Sequence, residues 1–316
     1  MIRIAVVGTG IIGIQHLESI EKSQECTLCA ICDVNEVSVT KLAEKYQVPY
    51  FTDYRELVKK VRIDAVILNL PHFLHCEVTE FFLDNGVDVL VEKPMANSVK
   101  ECDRMIAAAK RSGRKLAVGH VMRYNPAIER IKAIYESEEM GKLCMYQEIR
   151  SADYFTPKRP KWFLNKELSG GGIARNYGAH SMDSLFYVTG YSSAKVTSVI
   201  GNLKNDAEIE GHAQIFLELP QHMSANLTFS GYTFSTWESV WVFTEGVAKI
   251  SLGELWINKG GEWIKEELQD SPFLEKQLAE FCKLLRGEDS KVATPEQGRA
   301  IMVVLEDVYR KAERES

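Results

Sequence analysis

The sequence predicts an α/β domain built on a doubly wound parallel sheet, followed by an α+β domain with a mostly antiparallel sheet. Residues 1 to about 120 alternate continuous apolar runs with segments of helical period, which is typical of parallel strands covered on both faces. After Gly119 the chain contains successive strand-like stretches joined by short turns, which indicates antiparallel pairing. A length of 316 residues also fits two cores better than one.

The first half contains five predicted strands, each a short and mainly apolar run. They are residues 2–7, 27–32, 65–70, 87–91 and 115–118. Segments with apolar residues at helical spacing separate them, and these are residues 12–22, 36–46, 54–60, 76–85 and 99–112. This alternation predicts a first domain over residues 1–120.

The second half begins with a helix over 127–136, a strand over 143–151 and a glycine-rich segment that leads into a helix over 173–187. Alternating stretches then predict further strands at residues 196–199, 213–219, 223–229, 239–244, 248–251 and 255–258. Helices over 273–285 and 295–314 close the chain, the second with Thr294 as cap and Pro295 at its first position. We expect residues 121–294 to form the second domain and the last helix to pack near the first domain.

The composition favours a small molecule as partner. A formal net charge of -6 argues against nucleic acid or an anionic membrane surface, because both select for dense basic patches. No apolar run approaches the roughly 18 residues of a membrane helix, and the first residues resemble a strand and not a signal peptide. Seven cysteines without a disulfide framework fit a reducing cytoplasm.

Two short motifs imitate metal sites, and we predict no metal at either. Cys26-x-x-Cys29-x-x-Cys32 lies on an apolar strand, where residues three apart point to opposite faces. His72-x-x-His75-Cys76 has no second ligand cluster to accompany it. Two tryptophans four residues apart, Trp237 and Trp241, are interpreted as aromatics of a sheet face in a core or subunit interface.

The strongest motif is a glycine-rich turn between the first strand and the first helix. Gly8, Gly10 and Gly13 have the G-x-G-x-x-G spacing, and Asp33 follows at the end of the second strand. Glycines let the backbone approach a pyrophosphate at a helix N-terminus, while the acid binds the adenosine ribose hydroxyls. Because a carboxylate repels a 2′-phosphate and no arginine follows Asp33, the motif predicts NAD and makes NADP less favoured.

A second motif, Glu92-Lys93-Pro94, follows the apolar strand 87–91 directly. Open α/β sheets bind their ligands at the carboxyl ends of the strands, so Lys93 is a candidate for chemistry. Pro94 restricts the backbone, which presents the lysine from a stiff turn.

These motifs resemble those of the Gfo/Idh/MocA oxidoreductases, which include glucose–fructose oxidoreductase and inositol dehydrogenase. The resemblance covers nearly the whole chain and is specific in order and spacing. Its motifs are residues 8–13 with His16, Pro71-His72-x-x-His75, residues 92–96, Arg123-Tyr124-Asn125-Pro126, Gly170-Gly171-Gly172, Asn176-x-Gly178-x-His180-x-x-Asp183, and Gly298-Arg299 with the helix to Arg314.

The resemblance implies a Rossmann domain, a second domain with a large open sheet that binds substrate and forms a homodimer or homotetramer, and hydride transfer between NAD and a secondary alcohol of a sugar, cyclitol or sugar derivative. It implies cofactor contacts from Gly8, Gly10, Ile11, Ile12, Gly13, Asp33, Leu70, Pro71, His75, Glu92, Lys93 and Trp162. It implies substrate contacts from Lys93, Arg123, Tyr124, Asn176 and His180, of which Lys93, Asn176 and His180 are the expected catalytic group.

The residue types agree with this chemistry but leave the base open. An imidazole with an ordinary pKa near about 6.5 can take the hydroxyl proton, and a lysine can stabilise an alkoxide or act as the base itself. Most family members have an aspartate where this chain has Asn176, four residues before His180. An asparagine can orient the imidazole by hydrogen bonding but cannot pair with the imidazolium.

Two alternative functions remain at the level of sequence. The Asn-x-Gly-x-His pattern is similar to that of nucleotide-sugar 3-dehydrogenases of the family, and Lys158, Arg159 and Lys161 could serve an anionic substrate or be solvated surface charges. The other alternative is a non-catalytic dinucleotide-binding regulator of the same fold, against which the presence of Lys93 and His180 argues.

Overall fold

The computed structural model describes residues 1–203 and 207–312. Contacts divide the chain into two compact units. The first unit is Met1–Val121 with Pro272–Arg299, and the second is Met122–Ser271 with the chain from Ala300 onward.

The first unit contains six strands, which are β1 (Ile2–Val7), β2 (Cys26–Cys32), β3 (Tyr50–Phe51), β4 (Ala65–Leu68), β5 (Asp88–Glu92) and β6 (Leu116–Gly119). The helices between them are α1 (Ile11–Lys22), α2 (Glu36–Tyr46), α3 (Tyr54–Lys60), α4 (His72–Asp84) and α5 (Val99–Ser112). Every strand pair is parallel, and the order is β3-β2-β1-β4-β5-β6. This is the doubly wound order, in which the carboxyl ends of the strands line one edge of the sheet.

The core of this unit consists of strand residues that are apolar without alternation, such as those of β4, which are all buried. Helix α9 (Phe273–Arg286) packs on α1 and adds Leu278, Phe281 and Cys282 to the same apolar cluster. Residues of α9 lie within the range 121–294 that the sequence analysis gave to the second domain. Their buried apolar face places this helix in the first unit, a long-range contact that no local pattern contains.

The second unit contains strands β7 (Leu143–Asp153), β8 (Lys195–Gly201), β9 (His212–Glu218), β10 (Ser224–Ser230), β11 (Tyr232–Phe243), β12 (Gly246–Ser251), β13 (Glu254–Asn258) and β14 (Trp263–Glu266). Its helices are α6 (Pro126–Ser137), the short α7 (Lys166–Ser169), α8 (Ile173–Thr189) and most of α10 (Pro295–Ala312). Within the described residues, short 3-10 helices occur at Val121–Tyr124, Lys161–Leu164 and Pro220–His222.

The strands form an eight-stranded sheet of order β14-β13-β12-β11-β7-β10-β9-β8. Only the β7–β10 pair is parallel among the pairings of the described residues, so the sheet is mostly antiparallel. Helix α8 packs on one face, against β7, β9 and β10. Burial alternates along β9 because its side chains point to this covered face and to an open face in turn. The predicted fold class is confirmed.

Several element boundaries differ from the prediction. Helix α4 begins at His72 and not at residue 76, because Pro71 at its N-cap starts the helix directly. Strand β11 begins seven residues before the predicted start at 239, in a stretch that contains no buried residue and lacks the apolar alternation used to find strands. Strands β3 and β14 were missed because one has two residues and the other is mostly exposed.

Helix α10 is described to Ala312, and the predicted extension to Arg314 lies outside the described residues. Among the described residues, no helix combines the length and apolar character needed to cross a membrane.

Candidate functional site

The glycine-rich turn joins β1 to α1 at the carboxyl edge of the parallel sheet. Gly8 has a φ of +89°, and a Cβ there would lie 2.3 Å from the carbonyl oxygen of Asn69. A Cβ at Gly13 would lie 2.1 Å from the carbonyl oxygen of Gly8. Both positions therefore require glycine, so that helix α1 can start directly against the turn.

Helix α1 begins directly after this turn, and its first backbone N–H groups have no partner within the helix. The N–H of Ile14 donates to the Gly10 carbonyl at 2.9 Å, so the N–H groups of Ile11, Ile12 and Gly13 precede the first bond of the helix. Ile11 is 80% exposed, and no acidic residue occupies the first turn. A Cβ at Gly10 would meet no described heavy atom within 4 Å apart from its chain neighbours. These features fit an anion such as a pyrophosphate.

Asp33 lies next to this turn, at the end of β2. Its Oδ2 accepts from the backbone N–H of Thr9 at 2.6 Å and from the Thr9 hydroxyl at 2.9 Å, and its Oδ1 accepts from the Asn35 N–H at 2.9 Å. The carboxylate is thus fixed beside the glycine turn while it remains half-buried. In this position the Asp33 carboxylate can accept hydrogen bonds from the ribose hydroxyls of a dinucleotide.

Leu70, Pro71 and His75 follow the next strand, β4, along the same edge. His75 is fully buried, and its Nε2 lies 2.8 Å from the Leu70 carbonyl oxygen while its Nδ1 lies 3.0 Å from that of Pro94. Burial lowers the pKa of His75, against the opposing effect of these carbonyls. The ring therefore connects the loops after β4 and β5. The neutral ring can donate to one of the two carbonyls at a time, and the cofactor contact expected of His75 stays a prediction.

Glu92 ends β5 and organises the lysine that follows it. Its Oε1 lies 3.2 Å from Nε2 of the buried His16, and its Oε2 accepts from the Lys93 N–H at 3.1 Å. Burial alone would raise the pKa of Glu92, but His16 and the Lys93 charge outweigh it and hold that pKa below its ordinary value. A Cβ at Gly119 would come within 2.7 Å of Glu92 Oε1, so the neighbouring strand leaves just enough room for the carboxylate.

Lys93 itself is half-buried, and the peptide bond to Pro94 is cis. The glycine turn, Asp33 and Lys93 thus follow strands β1, β2 and β5 of one sheet and share its carboxyl edge.

In the second unit, a buried carboxylate organises the glycine-rich segment before α8. Glu210 accepts from the N–H of Gly172 at 2.8 Å, from that of Ala174 at 2.9 Å and from the Tyr309 hydroxyl at 2.7 Å. A Cβ at Gly172 would lie 2.2 Å from the Glu210 backbone oxygen, and one at Gly171 would lie 2.0 Å from the Tyr309 hydroxyl. The glycines permit this close approach, and the carboxylate satisfies the positive end of α8.

Asn176 and His180 lie four residues apart on α8, on one side of the helix, and both are half-buried. Burial raises the pKa of Tyr154, and a hydrogen bond with Asn176 acts in the opposite direction. The asparagine side chain therefore contacts a buried phenol as well as sharing a helix face with His180. Trp162 lies in the second unit too, where its ring stacks on that of Phe163 with the centroids 3.8 Å apart.

Arg123 and Tyr124, which the sequence analysis expects to contact substrate, are buried residues of the second unit. Each is 3% exposed. Arg123 donates from Nη2 to Asp183 Oδ1 at 2.6 Å and from Nε to both carboxylate oxygens at 3.0 Å. The pair joins the turn after residue 120 to α8 through a fully buried carboxylate, and the substrate contact expected of Arg123 stays a prediction.

The sequence analysis missed a second buried charged pair, Glu148 and Arg150 on β7. Arg150 Nε donates to Glu148 Oε1, which also accepts from the Ser181 hydroxyl of α8 at 3.0 Å. Tyr146 donates to the other carboxylate oxygen. The signal was available, because charged residues at every second position of β7 must share one face with Tyr146. In the described part of the chain, no group of three or more histidine, cysteine, aspartate or glutamate side chains is arranged to hold a metal ion.

Comparison with known families agrees with both units. The model of an oxidoreductase family with an NAD-binding Rossmann fold, GFO_IDH_MocA, matches residues 2–120, and the GFO/IDH/MocA C-terminal domain matches residues 128–247. The chain belongs to the GFO/IDH/MocA family. The resemblance inferred from the motifs is confirmed.

Two curated relatives of this chain are named as dehydrogenases of different substrates. A 1-carboxy-3-chloro-3,4-dihydroxycyclohexa-1,5-diene dehydrogenase of Comamonas testosteroni is 30% identical over 66% of this chain and 55% of its own length. A D-xylose 1-dehydrogenase [NADP(+)] of Haloarcula marismortui is 21% identical over 80% of this chain and 73% of its own length. The chain spans about half the length of the first curated relatives it matches.

Among solved structures, an aldose-aldose oxidoreductase from Caulobacter crescentus complexed with glycerol superposes with a TM-score of 0.92. It is 23% identical, and the match covers 100% of this chain and 98% of that one. At this identity the likeness establishes the shared fold of the family.

Proposed function

We propose that the protein is an NAD-dependent oxidoreductase that moves a hydride between NAD and a secondary alcohol of a sugar, cyclitol or sugar derivative. The observation that carries the proposal is the shared carboxyl edge of the parallel sheet. There the N-terminus of α1, the anchored Asp33 and the half-buried Lys93 follow three strands of one sheet. A dinucleotide needs the helix N-terminus and the carboxylate, and an alcohol next to its nicotinamide needs a cation such as Lys93.

The choice of NAD over NADP rests on Asp33. The names of relatives do not decide it, since one of them specifies NADP. The Asp33 carboxylate is held by Thr9 beside the glycine turn, where an adenosine ribose would sit, and a fixed negative charge there repels a 2′-phosphate. Gly8, Gly10, Ile11, Ile12 and Gly13 would hold the pyrophosphate. Leu70, Pro71, Glu92 and Trp162 complete the proposed cofactor site.

The proposed chemistry divides between two side chains. Bound NAD supplies a two-electron acceptor for the hydride that leaves the carbinol carbon. We assign removal of the hydroxyl proton to His180 Nε2 and stabilisation of the negative oxygen to the Lys93 ammonium. Asn176 lacks the charge of an aspartate, so in this proposal it orients the imidazole and contacts Tyr154 without stabilising the imidazolium.

The open face of the eight-stranded sheet supports a homo-oligomer. Met145, Ile149 and Phe216 on this face are 43%, 54% and 43% exposed. Strand β10 lies between their strands and contributes Ser224, Asn226 and Thr228 to the same face, so the face mixes apolar and polar side chains, as non-obligate subunit interfaces do. Light scattering coupled to gel filtration should give the mass of a dimer or tetramer, and a mass near the 35.8 kDa of one chain would refute this part of the proposal.

The function is tested by measuring NAD reduction with a panel of inositols, hexoses, hexuronates, amino sugars and nucleotide sugars. With the best substrate, Lys93→Met should lower kcat by about 100-fold or more, while the Kd for NAD changes by less than about threefold. Lys110→Met, an exposed lysine of the same unit, is the matched control. Full activity of the Lys93 variant would refute the assigned role, and tight NAD binding without reduction by any member of the panel would favour a non-catalytic regulator.

A further inference from the structure

A loop of the second unit holds the guanidinium of Arg159 against two aromatic rings. Its central carbon lies 3.8 Å from the ring centroid of Tyr154 and 5.1 Å from that of Phe163. Its Nε donates to the Tyr154 carbonyl oxygen at 2.6 Å. These contacts restrict the plane and the direction of the guanidinium, so most of the side-chain entropy that a ligand contact would cost is already lost.

The backbone on both sides of Arg159 is held as well. The N–H of Arg159 donates to the Thr156 carbonyl oxygen at 3.0 Å, and that of Phe163 donates to the Pro160 carbonyl oxygen at 3.0 Å. Pro157 and Pro160 restrict the chain two residues before and one residue after the arginine. The loop therefore presents Arg159 from a hydrogen-bonded turn.

The outer end of this guanidinium is open. Within the described residues, no hydrogen bond or ion pair engages the two Nη nitrogens, and Arg159 is only half-buried, so these nitrogens face solvent. Lys158 and Lys161 are exposed, and neither forms an ion pair with a described residue. Three positive charges thus lie within four residues of the loop without a carboxylate of the described chain to balance them.

Tyr154 relates this loop to helix α8. The face of its ring contacts Arg159, while its hydroxyl forms a hydrogen bond with Asn176 that lowers its pKa against the larger, opposite effect of burial. At Tyr177, the next residue of the helix, the charges of Arg150 and Arg159 likewise oppose the rise in pKa that burial causes. Arg159 therefore lies one phenol ring away from Asn176, within the span of a small ligand.

The charge of the loop favours a phosphate over a carboxylate. The edge formed by the two Nη nitrogens of an arginine can donate two parallel hydrogen bonds to either oxyanion. A carboxylate carries a single charge, which Arg159 alone would balance. A phosphate monoester carries about -1.5 to -2 at pH 7 and has three acceptor oxygens, so it also uses the charges of Lys158 and Lys161.

We propose that Arg159, with Lys158 and Lys161 beside it, forms a phosphate subsite, so that the substrate is a sugar or cyclitol that carries a phosphoryl group. This inference rests on the proposed function for the rest of the substrate. The Nη edge of Arg159 donates to two phosphoryl oxygens, and the carbon that exchanges hydride lies toward Asn176 and His180. The phosphoryl group is either a monoester or part of a pyrophosphate that joins the sugar to a nucleotide.

The test is equilibrium binding to the protein saturated with NADH, because an alcohol binds there without being oxidised. Isothermal titration compares D-glucose 6-phosphate, D-glucose 1-phosphate, myo-inositol 1-phosphate and UDP-glucose with D-glucose and myo-inositol. D-Glucuronate provides a carboxylate instead. We expect at least one phosphorylated probe to bind about tenfold or more tightly than its neutral counterpart. Tighter binding of a monophosphate than of UDP-glucose assigns a monoester, and the reverse order assigns a pyrophosphate.

Two results of this comparison would overturn the subsite. One is that no phosphorylated probe binds more tightly than its neutral counterpart, and the other is that D-glucuronate binds more tightly than every phosphorylated probe. The comparison uses the wild-type protein, so it stands even where a variant fails to fold.

Variants test Arg159 itself. Arg159→Gln removes the charge but keeps an N–H that can donate to the Tyr154 carbonyl, and Arg159→Lys keeps the charge but loses the fork. The affinity for the best phosphorylated probe should fall about tenfold or more in the glutamine variant and by a smaller factor in the lysine variant. The affinities for the neutral counterpart and for NADH should change by less than about threefold.

Arg310→Gln, at an exposed ion pair of α10, is the matched control and should alter none of these affinities. An unchanged affinity of Arg159→Gln for the phosphorylated probe would overturn the proposal. So would a loss of NADH binding in its place, which would assign the arginine to the cofactor.

The subsite and the proposed function can fail separately. Tight binding of a phosphorylated probe, with no reduction of NAD by that probe or by any member of the panel, would keep the subsite and refute the dehydrogenase. Reduction of NAD by a neutral polyol, with no gain in affinity from phosphorylation, would do the reverse.

Discussion

The carboxylate of Glu92 contacts both the imidazole of His16, at 3.2 Å, and the backbone N–H of Lys93, at 3.1 Å. A largely buried carboxylate, 13% exposed, thus connects the first helix of the parallel domain to the lysine after β5. Since Glu92 can hold Lys93 in place only as long as its own position is fixed, His16 contributes to the candidate site without facing it.

The first prediction concerns the pH dependence of this contact. The pKa of Glu92 is lowered in the folded state relative to its ordinary value of 4.5, so the folded protein favours the carboxylate. Its contribution to stability is fully present above pH 4.5 and is lost as pH falls through the lower folded-state pKa. We therefore expect the difference in unfolding free energy between the wild type and Glu92→Gln to be constant near neutral pH and to shrink below pH 4.5.

Urea unfolding at a series of pH values measures this difference. A difference that grows as the pH falls would contradict the contact. Glu77→Gln, at an exposed ion pair of α4, is the control and should change the unfolding free energy by less than about 1 kcal/mol at every pH.

The second prediction separates two glycines of the turn. Gly13→Ala places a methyl group 2.1 Å from the Gly8 carbonyl oxygen and should destabilise the first domain by about 1–3 kcal/mol. Gly10→Ala meets no such obstacle in the protein, so it should fold normally but bind NAD more weakly, since the methyl group would face the pyrophosphate. Thermal unfolding and NAD titration of the two variants distinguish these effects, and equal stability losses would contradict the geometry.

The third prediction concerns the cofactor preference. Asp33→Asn keeps an oxygen that can accept from Thr9 but removes the negative charge, so the preference for NAD over NADP in kcat/KM should fall by about tenfold or more. Steady-state rates with each cofactor measure the ratio. An unchanged ratio would mean that Asp33 does not face the adenosine ribose.

The fourth prediction concerns the relation between Asn176 and His180. Asn176→Asp introduces a carboxylate on the same side of α8, which favours the imidazolium and should raise the pKa of His180. If neutral His180 accepts the substrate proton, the acidic limb of the kcat/KM profile moves to higher pH by the same amount. A profile that stays in place would transfer the role of base to another group, with Lys93 the first to examine.

The alternation of apolar runs and helices was sufficient to predict the parallel domain and its glycine turn. The reason is physical: strands buried on both faces and a helix N-terminus that binds phosphate both leave local sequence patterns. Contacts between distant residues leave none. The pairing of Arg123 with Asp183, sixty residues away, could not be read from either local motif.

The glycine-rich segment before α8 illustrates the same limit. Its three glycines were recognised as a motif, but Gly171 and Gly172 are needed because Tyr309 and Glu210, which come later in the chain, approach them closely. Likewise, the charged residues of β7 were visible in the sequence, whereas the contact of Arg150 with the Trp237 ring depends on which strands pair.

The most direct test of the account is the fate of the hydrogen on the carbinol carbon. A substrate found in the panel is prepared with deuterium at that carbon, and the NADH formed is analysed by mass spectrometry. The account predicts one deuterium per molecule in the nicotinamide ring, carried there as hydride. NADH without deuterium, or release of the label to water, would contradict it.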